Sequence, residues 1–145
     1  ETQIAQAVAA GARLLCGGGR RGSLLEPTLL EDVPATLPIC ADEAFGPVAV
    51  LSRYQRFSEA LAQVDAGRYG LQAGLFTRDI GRIEQAYATL EVGGLIVGDV
   101  PSWRVDSMPY GGVKQSGFGR EGVRYAIESM TEPRLLVVRD PGSLD

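Results

Sequence analysis

An apolar run followed by a stretch of helical period, then by another apolar run, builds a layered fold in which each helix crosses back between strands. This chain repeats that alternation along its length. GPVAVLSRY (46–54) precedes a segment in which Phe57, Ala60, Leu61 and Val64 fall at helical spacing, with Ser58 as a candidate cap and Gly67 near the stop. GLQAGLFT (70–77) precedes a second helical pattern, capped by Asp79 and striped by Ile80, Ile83, Tyr87 and Leu90, and LIVG (95–98) follows it as a strand. Nearer the start, Ile4, Ala7, Val8 and Gly11 form one helical stripe that Gly11 ends, and RLLC (13–16) is a short strand. Gly17, Gly18 and Gly19 with Arg20 and Arg21 form a turn, and LLEPTLLEDV (24–33) is an extended run that Pro27 interrupts. A final helix on Val123, Ile127 and Met130 leads into PRLLVV (133–138), read as a strand. Strands joined through helices pair in parallel, so the expected fold class is α/β, a parallel-sheet α/β sandwich. The connection from Asp99 to Ser116 holds the only tryptophan and two prolines but no regular period, and long loops of that kind generally carry function.

Composition narrows the function classes. With 145 residues, 45% hydrophobic and 22% charged, the chain reads as one globular domain with a sizeable core. A net charge of −4 with scattered basic residues argues against a nucleic-acid or membrane-surface partner, and no apolar run is long enough to span a bilayer. The expectation is a soluble, cytoplasmic protein in which Cys16 and Cys40 are reduced thiols. There is no histidine, which removes Ser-His-Asp and Cys-His nucleophile systems and most catalytic zinc sites; no metal site is expected. The chain begins at Glu1, already inside a helical pattern, and is expected to be a fragment.

GFGREG (117–122) has the G-x-G-x-x-G spacing of dinucleotide-binding turns. That mechanism needs a strand entering the first glycine, a helix leaving the last, and an acid roughly 20 residues on for the ribose. Only the helix is expected here. YGGVKQS (110–116) lacks an apolar strand pattern, and the next acid of interest, Asp140, sits in a polar tail beside Pro141.

Taken together, ADEAFGPVAVL (41–51), YGLQAGLFTRD (69–79), MPYGGVKQSGFGREG (108–122) and TEPRLLVV (131–138) resemble the C-terminal part of an aldehyde dehydrogenase. The resemblance covers nearly the whole chain, from GARLLCGG (11–18) to the last strand. It implies a part of an enzyme that oxidises an aldehyde to a carboxylic acid with NAD or NADP, or alternatively a non-catalytic interaction or dimerisation remnant of that family. In that family the E-x-F-G-P segment lies at the nicotinamide end of the cofactor, so Glu43 and Phe45 become the cofactor-binding candidates. A carboxylate can accept hydrogen bonds from both ribose hydroxyls, and an aromatic ring offers a flat apolar face. Read alone, Asp42 and Glu43 are a solvated pair ahead of a strand, and Phe45 is core.

GDVPSWRVDSMPYGG (98–112) stands where the family builds part of its substrate tunnel. By the same resemblance Trp103 lines that tunnel and Arg104 faces an anionic or hydroxylated aldehyde, since a guanidinium grips such groups in a fork. The residues alone also allow a surface loop with Arg104 paired to Asp106 or Asp99. V-P-x-x-R-V-D resembles the branch containing lactaldehyde and glyceraldehyde-phosphate-type enzymes. Gly98 departs from the asparagine that many members carry there. The glycines of G-G-x-K-x-S-G-x-G-R-E, Gly111 through Glu121, read as architecture. Residues 132–139 resemble the strand through which the family associates, implying a homo-oligomer. The family's nucleophilic cysteine, its base, its oxyanion donor and its Rossmann domain find no counterpart here, so no catalytic residue is assigned to this chain, which is expected to be inactive alone. Cys16 and Cys40 stand in the wrong contexts for the nucleophile.

Overall fold

In the computed structural model, residues 1–139 are described, and they belong to two compact units, Glu1–Arg68 and a second that starts at Tyr69. Asp140, the acid considered for the ribose, lies outside the described residues.

The first unit opens with helix α1 (Thr2–Ala9), which buries Ile4 and Ala7 on one face and is followed by Gly11 at φ 98°. A positive φ is sterically open to glycine and closed to most other residues, so the expected stop is where the sequence puts it. Strand β1 (Arg13–Cys16), the hairpin of β2 (Arg20–Arg21) with β3 (Leu24–Leu25), and β4 (Thr28–Glu31) follow. A one-turn helix, α2 (Pro38–Ala41), precedes strand β5 (Val48–Leu51) and helix α3 (Phe57–Asp65). The sheet order is β1-β4-β5, with β1 antiparallel and β5 parallel to the central β4. Leu30 of β4 is fully buried and packs in a core with Ile4, Ala7, Ala12 and Ile39, flanked by Ala44, Val48 and Val50.

Helix α3 is not capped by Ser58. Glu59 instead reaches back to accept the backbone N–H of Arg56 (3.2 Å) and of Gln55 (3.3 Å), with Arg56 Nε at 2.8 Å, which satisfies donors a serine one position inside the helix cannot reach.

The second unit carries β6 (Tyr69–Gly70), β7 (Gln72–Leu75), helix α4 (Ile80–Thr89), β8 (Gly94–Val97), β9 (Val113–Lys114) and helix α5 (Val123–Met130). β7 and β8 pair in parallel through the α4 crossover, while β6 pairs antiparallel with β9. Asp79 caps α4 as expected, its carboxylate accepting the N–H of Gly81 (2.9 Å) and Arg82 (3.3 Å).

One sequence expectation is corrected. The fold is α/β, but among the described residues only β4–β5 and β7–β8 pair in parallel, while β1–β4, β2–β3 and β6–β9 pair antiparallel; β6 and β9 meet across the intervening β7, α4 and β8, a pairing that the order of elements does not fix. Within the single chain, residues 132–138 take no part in the sheets: Leu135, Leu136, Val137 and Val138 are 86%, 85%, 65% and 65% exposed. A strand exists only against a neighbour, and no described strand pairs with this segment.

Candidate functional site

In the first unit, the segment carrying Glu43 and Phe45 is pinned at both ends. On the α2 side, Asp42 donates its N–H to the Pro38 carbonyl (2.7 Å) and its carboxylate meets Arg68 Nη1 at 3.1 Å. On the β5 side, the Pro47 carbonyl accepts the Thr28 N–H (2.8 Å), extending the β4–β5 ladder by one bond. Between these anchors the chain makes two consecutive three-residue turns, Gly46 N–H to Ala44 (2.6 Å) and Val48 N–H to Gly46 (2.8 Å). Pro47 sits at the centre of the second, where its restricted φ fits an inverse γ-turn; Phe45 sits at the centre of the first.

What lies between the anchors is uncommitted. The Phe45 ring is 96% exposed, so it is not core, and the exposed Glu43 carboxylate has no hydrogen-bond or ion-pair partner among the described residues. Ala44, between them, packs against the core. A rigid backbone thus presents an acceptor-only group and a flat apolar ring to the outside.

In the second unit, the C-terminal end of β8 opens onto a cavity of about 410 Å³ lined by Leu95, Ile96, Val97, Gly98, Asp99 and Trp103. Crevices outside the carboxyl ends of parallel strands are where open α/β sheets take ligands. Gly98 stands at φ 85°, with open space where a Cβ would lie. Trp103 is held by its backbone: its N–H reaches the Val100 carbonyl (3.3 Å) and its carbonyl accepts Gln72 Nε2 (3.2 Å).

Arg104 pairs with neither Asp99 nor Asp106. Its Nη2 lies 2.9 Å from Glu121 Oε2, and its guanidinium stacks 4.5 Å above the Tyr110 ring. Tyr110 and Glu121 are themselves tied by reciprocal backbone bonds of 3.1 and 2.6 Å.

The glycine turn is architecture. A Cβ on Gly93 would lie 1.6 Å from the Gly111 carbonyl oxygen, one on Gly111 2.5 Å from that of Gly119, and one on Gly112 2.5 Å from Ser116 Cβ. The Ser116 hydroxyl accepts the Gly70 N–H at 2.9 Å, and Arg120 Nη1 donates to the Gly112 carbonyl at 2.9 Å. Gly117, Gly119 and Gly122 all have positive φ, which explains the G-x-G-x-x-G spacing by conformation.

Desolvation raises the pKa of the Cys40 thiol above its ordinary value, the reverse of what thiolate chemistry requires, and the exposed Cys16 thiol lies 4.0 Å from the Pro27 carbonyl. Sequence reading missed Glu31. This carboxylate at the end of β4 is 4% exposed and is held by Arg13, its cross-strand partner, and by Arg53 (2.7 Å). The Arg53 and then the Arg13 hydrogen bonds hold its pKa below the usual carboxylate value. Among the described residues no group of side chains could hold a metal ion, and no helix is long and apolar enough to cross a membrane.

Comparison with known proteins places the chain in a family. The model of the aldehyde dehydrogenase family matches residues 1–136, and the chain belongs to that family. The 3-sulfolactaldehyde dehydrogenase of Priestia aryabhattai is 46% identical over 138 residues, which are 95% of this chain and 29% of that protein. Among solved structures, aldehyde dehydrogenase 21 from Physcomitrella patens, in complex with the reaction product succinate, superposes with a TM-score of 0.95 at 47% identity, covering 99% of this chain and 30% of that one. Glyceraldehyde-3-phosphate dehydrogenase GapN from Methanocaldococcus jannaschii, complexed with NADP, gives 0.84 at 40% identity over 89% of this chain and 28% of its own. The chain therefore spans about 30% of the length of the relatives it matches.

Proposed function

We propose that this chain is the C-terminal part of the catalytic domain of a cytoplasmic, NAD(P)-dependent aldehyde dehydrogenase, in which it positions cofactor and substrate while the reacting groups lie elsewhere in a longer polypeptide. The observation that carries this reading is the pinned segment with a Glu43 carboxylate that has no partner among the described residues and a 96% exposed Phe45. Both suit the nicotinamide end of a dinucleotide: the carboxylate would accept the two ribose hydroxyls, and the ring would cover the sugar and nicotinamide. The cofactor, when bound, supplies the hydride acceptor; this chain's residues only orient it.

Trp103 would form a wall of the aldehyde site and Arg104 would face the substrate's polar end. The relatives' substrates support an anionic or hydroxylated aldehyde, as their names include sulfolactaldehyde, sulfoacetaldehyde and lactaldehyde. The exposed run Leu135 to Val138 would find its missing neighbour in a second copy, giving a homo-oligomer. Glu43→Gln in the full-length enzyme tests the cofactor contact. Loss of a charge-assisted hydrogen bond worth about 1.5–3 kcal/mol should weaken NAD(P) binding by about tenfold or more with the fold retained. Unaltered cofactor affinity and turnover would reject the assignment.

A further inference from the structure

The Arg104 guanidinium is fixed without being saturated. Glu121 meets one terminal nitrogen at 2.9 Å and Tyr110 covers one face at 4.5 Å. Because these two partners are joined by backbone bonds of 3.1 and 2.6 Å, they form one rigid seat. A guanidinium carries five N–H donors, and no hydrogen bond from the other nitrogens of Arg104 is present among the described residues, while its side chain remains 43% exposed. It sits next in sequence to Trp103, which lines the cavity at the end of β8. No other arginine side chain adjoins that lining in sequence. The cation thus has an open edge for an incoming anion and a resident carboxylate that offsets its charge.

We propose that Glu121 sets the anion selectivity of the aldehyde site by sharing Arg104 with the substrate's anionic group, a role that rests on the reading of Arg104 as a substrate contact. Glu121 touches no substrate; it is a positioning residue that acts through Arg104. Its carboxylate holds the fork in place and also competes with a carboxylate, sulfonate or phosphate on the aldehyde. Glu121→Gln keeps the side-chain length and an acceptor oxygen, so the seat survives while the competing charge disappears. The affinity for an anionic tail should then rise.

The test uses the full-length enzyme with succinic semialdehyde and butanal, which share a four-carbon chain and differ in the terminal carboxylate. For Glu121→Gln, the ratio of the two KM values should shift about threefold toward the carboxylate-bearing aldehyde, the size of a half-exposed ion pair. Calorimetric titration with succinate in the absence of cofactor should show tighter binding by a similar factor, a change that a merely structural role would not produce. If Arg104→Ala abolishes the preference for the charged aldehyde while Glu121→Gln leaves it unchanged or reduces it, the sharing role is wrong and the Arg104 contact stands. If neither substitution moves the ratio, the Arg104 reading fails and the proposal fails with it.

Discussion

Leu30→Ala is the sharpest test of what supports the Glu43 segment. Leu30 is fully buried at the centre of β4, between β1 and β5, and its neighbours Ile4, Ala7 and Ile39 come from two helices. Truncation removes roughly three carbons, at about 0.8 kcal/mol each for lost transfer, or about 2.4 kcal/mol. Neighbours fixed on helices and strands relax little, so a cavity contribution brings the total to about 3–4 kcal/mol. That is a large share of the about 5–15 kcal/mol that holds a typical domain. Urea unfolding followed by far-ultraviolet circular dichroism would read the loss as a lower midpoint at constant slope. Ala44 and Val48 lie against the same core and bracket Phe45, so the Glu43 segment should also loosen, seen as faster amide exchange over 43–48. A cost below about 1 kcal/mol would show that this core is not what holds the segment.

Two further outcomes follow from other parts of the chain. Gly93→Ala should prevent normal folding of the second unit, because a Cβ there would lie 1.6 Å from the Gly111 carbonyl oxygen; a soluble variant with unchanged circular dichroism and melting would contradict the packing described. The depressed pKa of Glu31 means that its contribution to stability is complete above the unfolded carboxylate value of about 4.3 and is lost as pH falls through the lower folded value. Thermal melts from about pH 6 to about pH 3 should therefore fall more steeply for the native chain than for Glu31→Gln, and parallel curves would remove Glu31 from the account.

Much of the fold was legible because its signals are local. The Asp79 cap and the Gly11 stop each depend on residues within one helical turn, and both appear where the sequence puts them. The rest depends on competition between neighbours or on residues distant in sequence or absent. Ser58 lost the cap to Glu59, a competition between neighbours that spacing does not rank. PRLLVV has the composition of a strand but needs a partner to become one. Arg13 and Glu31 meet only through the β1–β4 register, 18 residues apart, and Arg104 finds Glu121 only through the bridge at Tyr110. At the candidate site, composition alone favoured Phe45 as core; its exposure came from the double turn around Gly46, which hydropathy does not encode.

On the proposed reading, these residues position cofactor and substrate and do not react. The measurement adds NAD or NADP and a panel of short aldehydes to the purified 145-residue chain and follows absorbance of the reduced cofactor, alone and with the proposed remainder of the enzyme supplied. No turnover is expected from the chain alone, and turnover is expected once the family's catalytic cysteine, base and cofactor domain are supplied. Turnover by the chain alone, abolished by Cys16→Ser or Cys40→Ser, would contradict it.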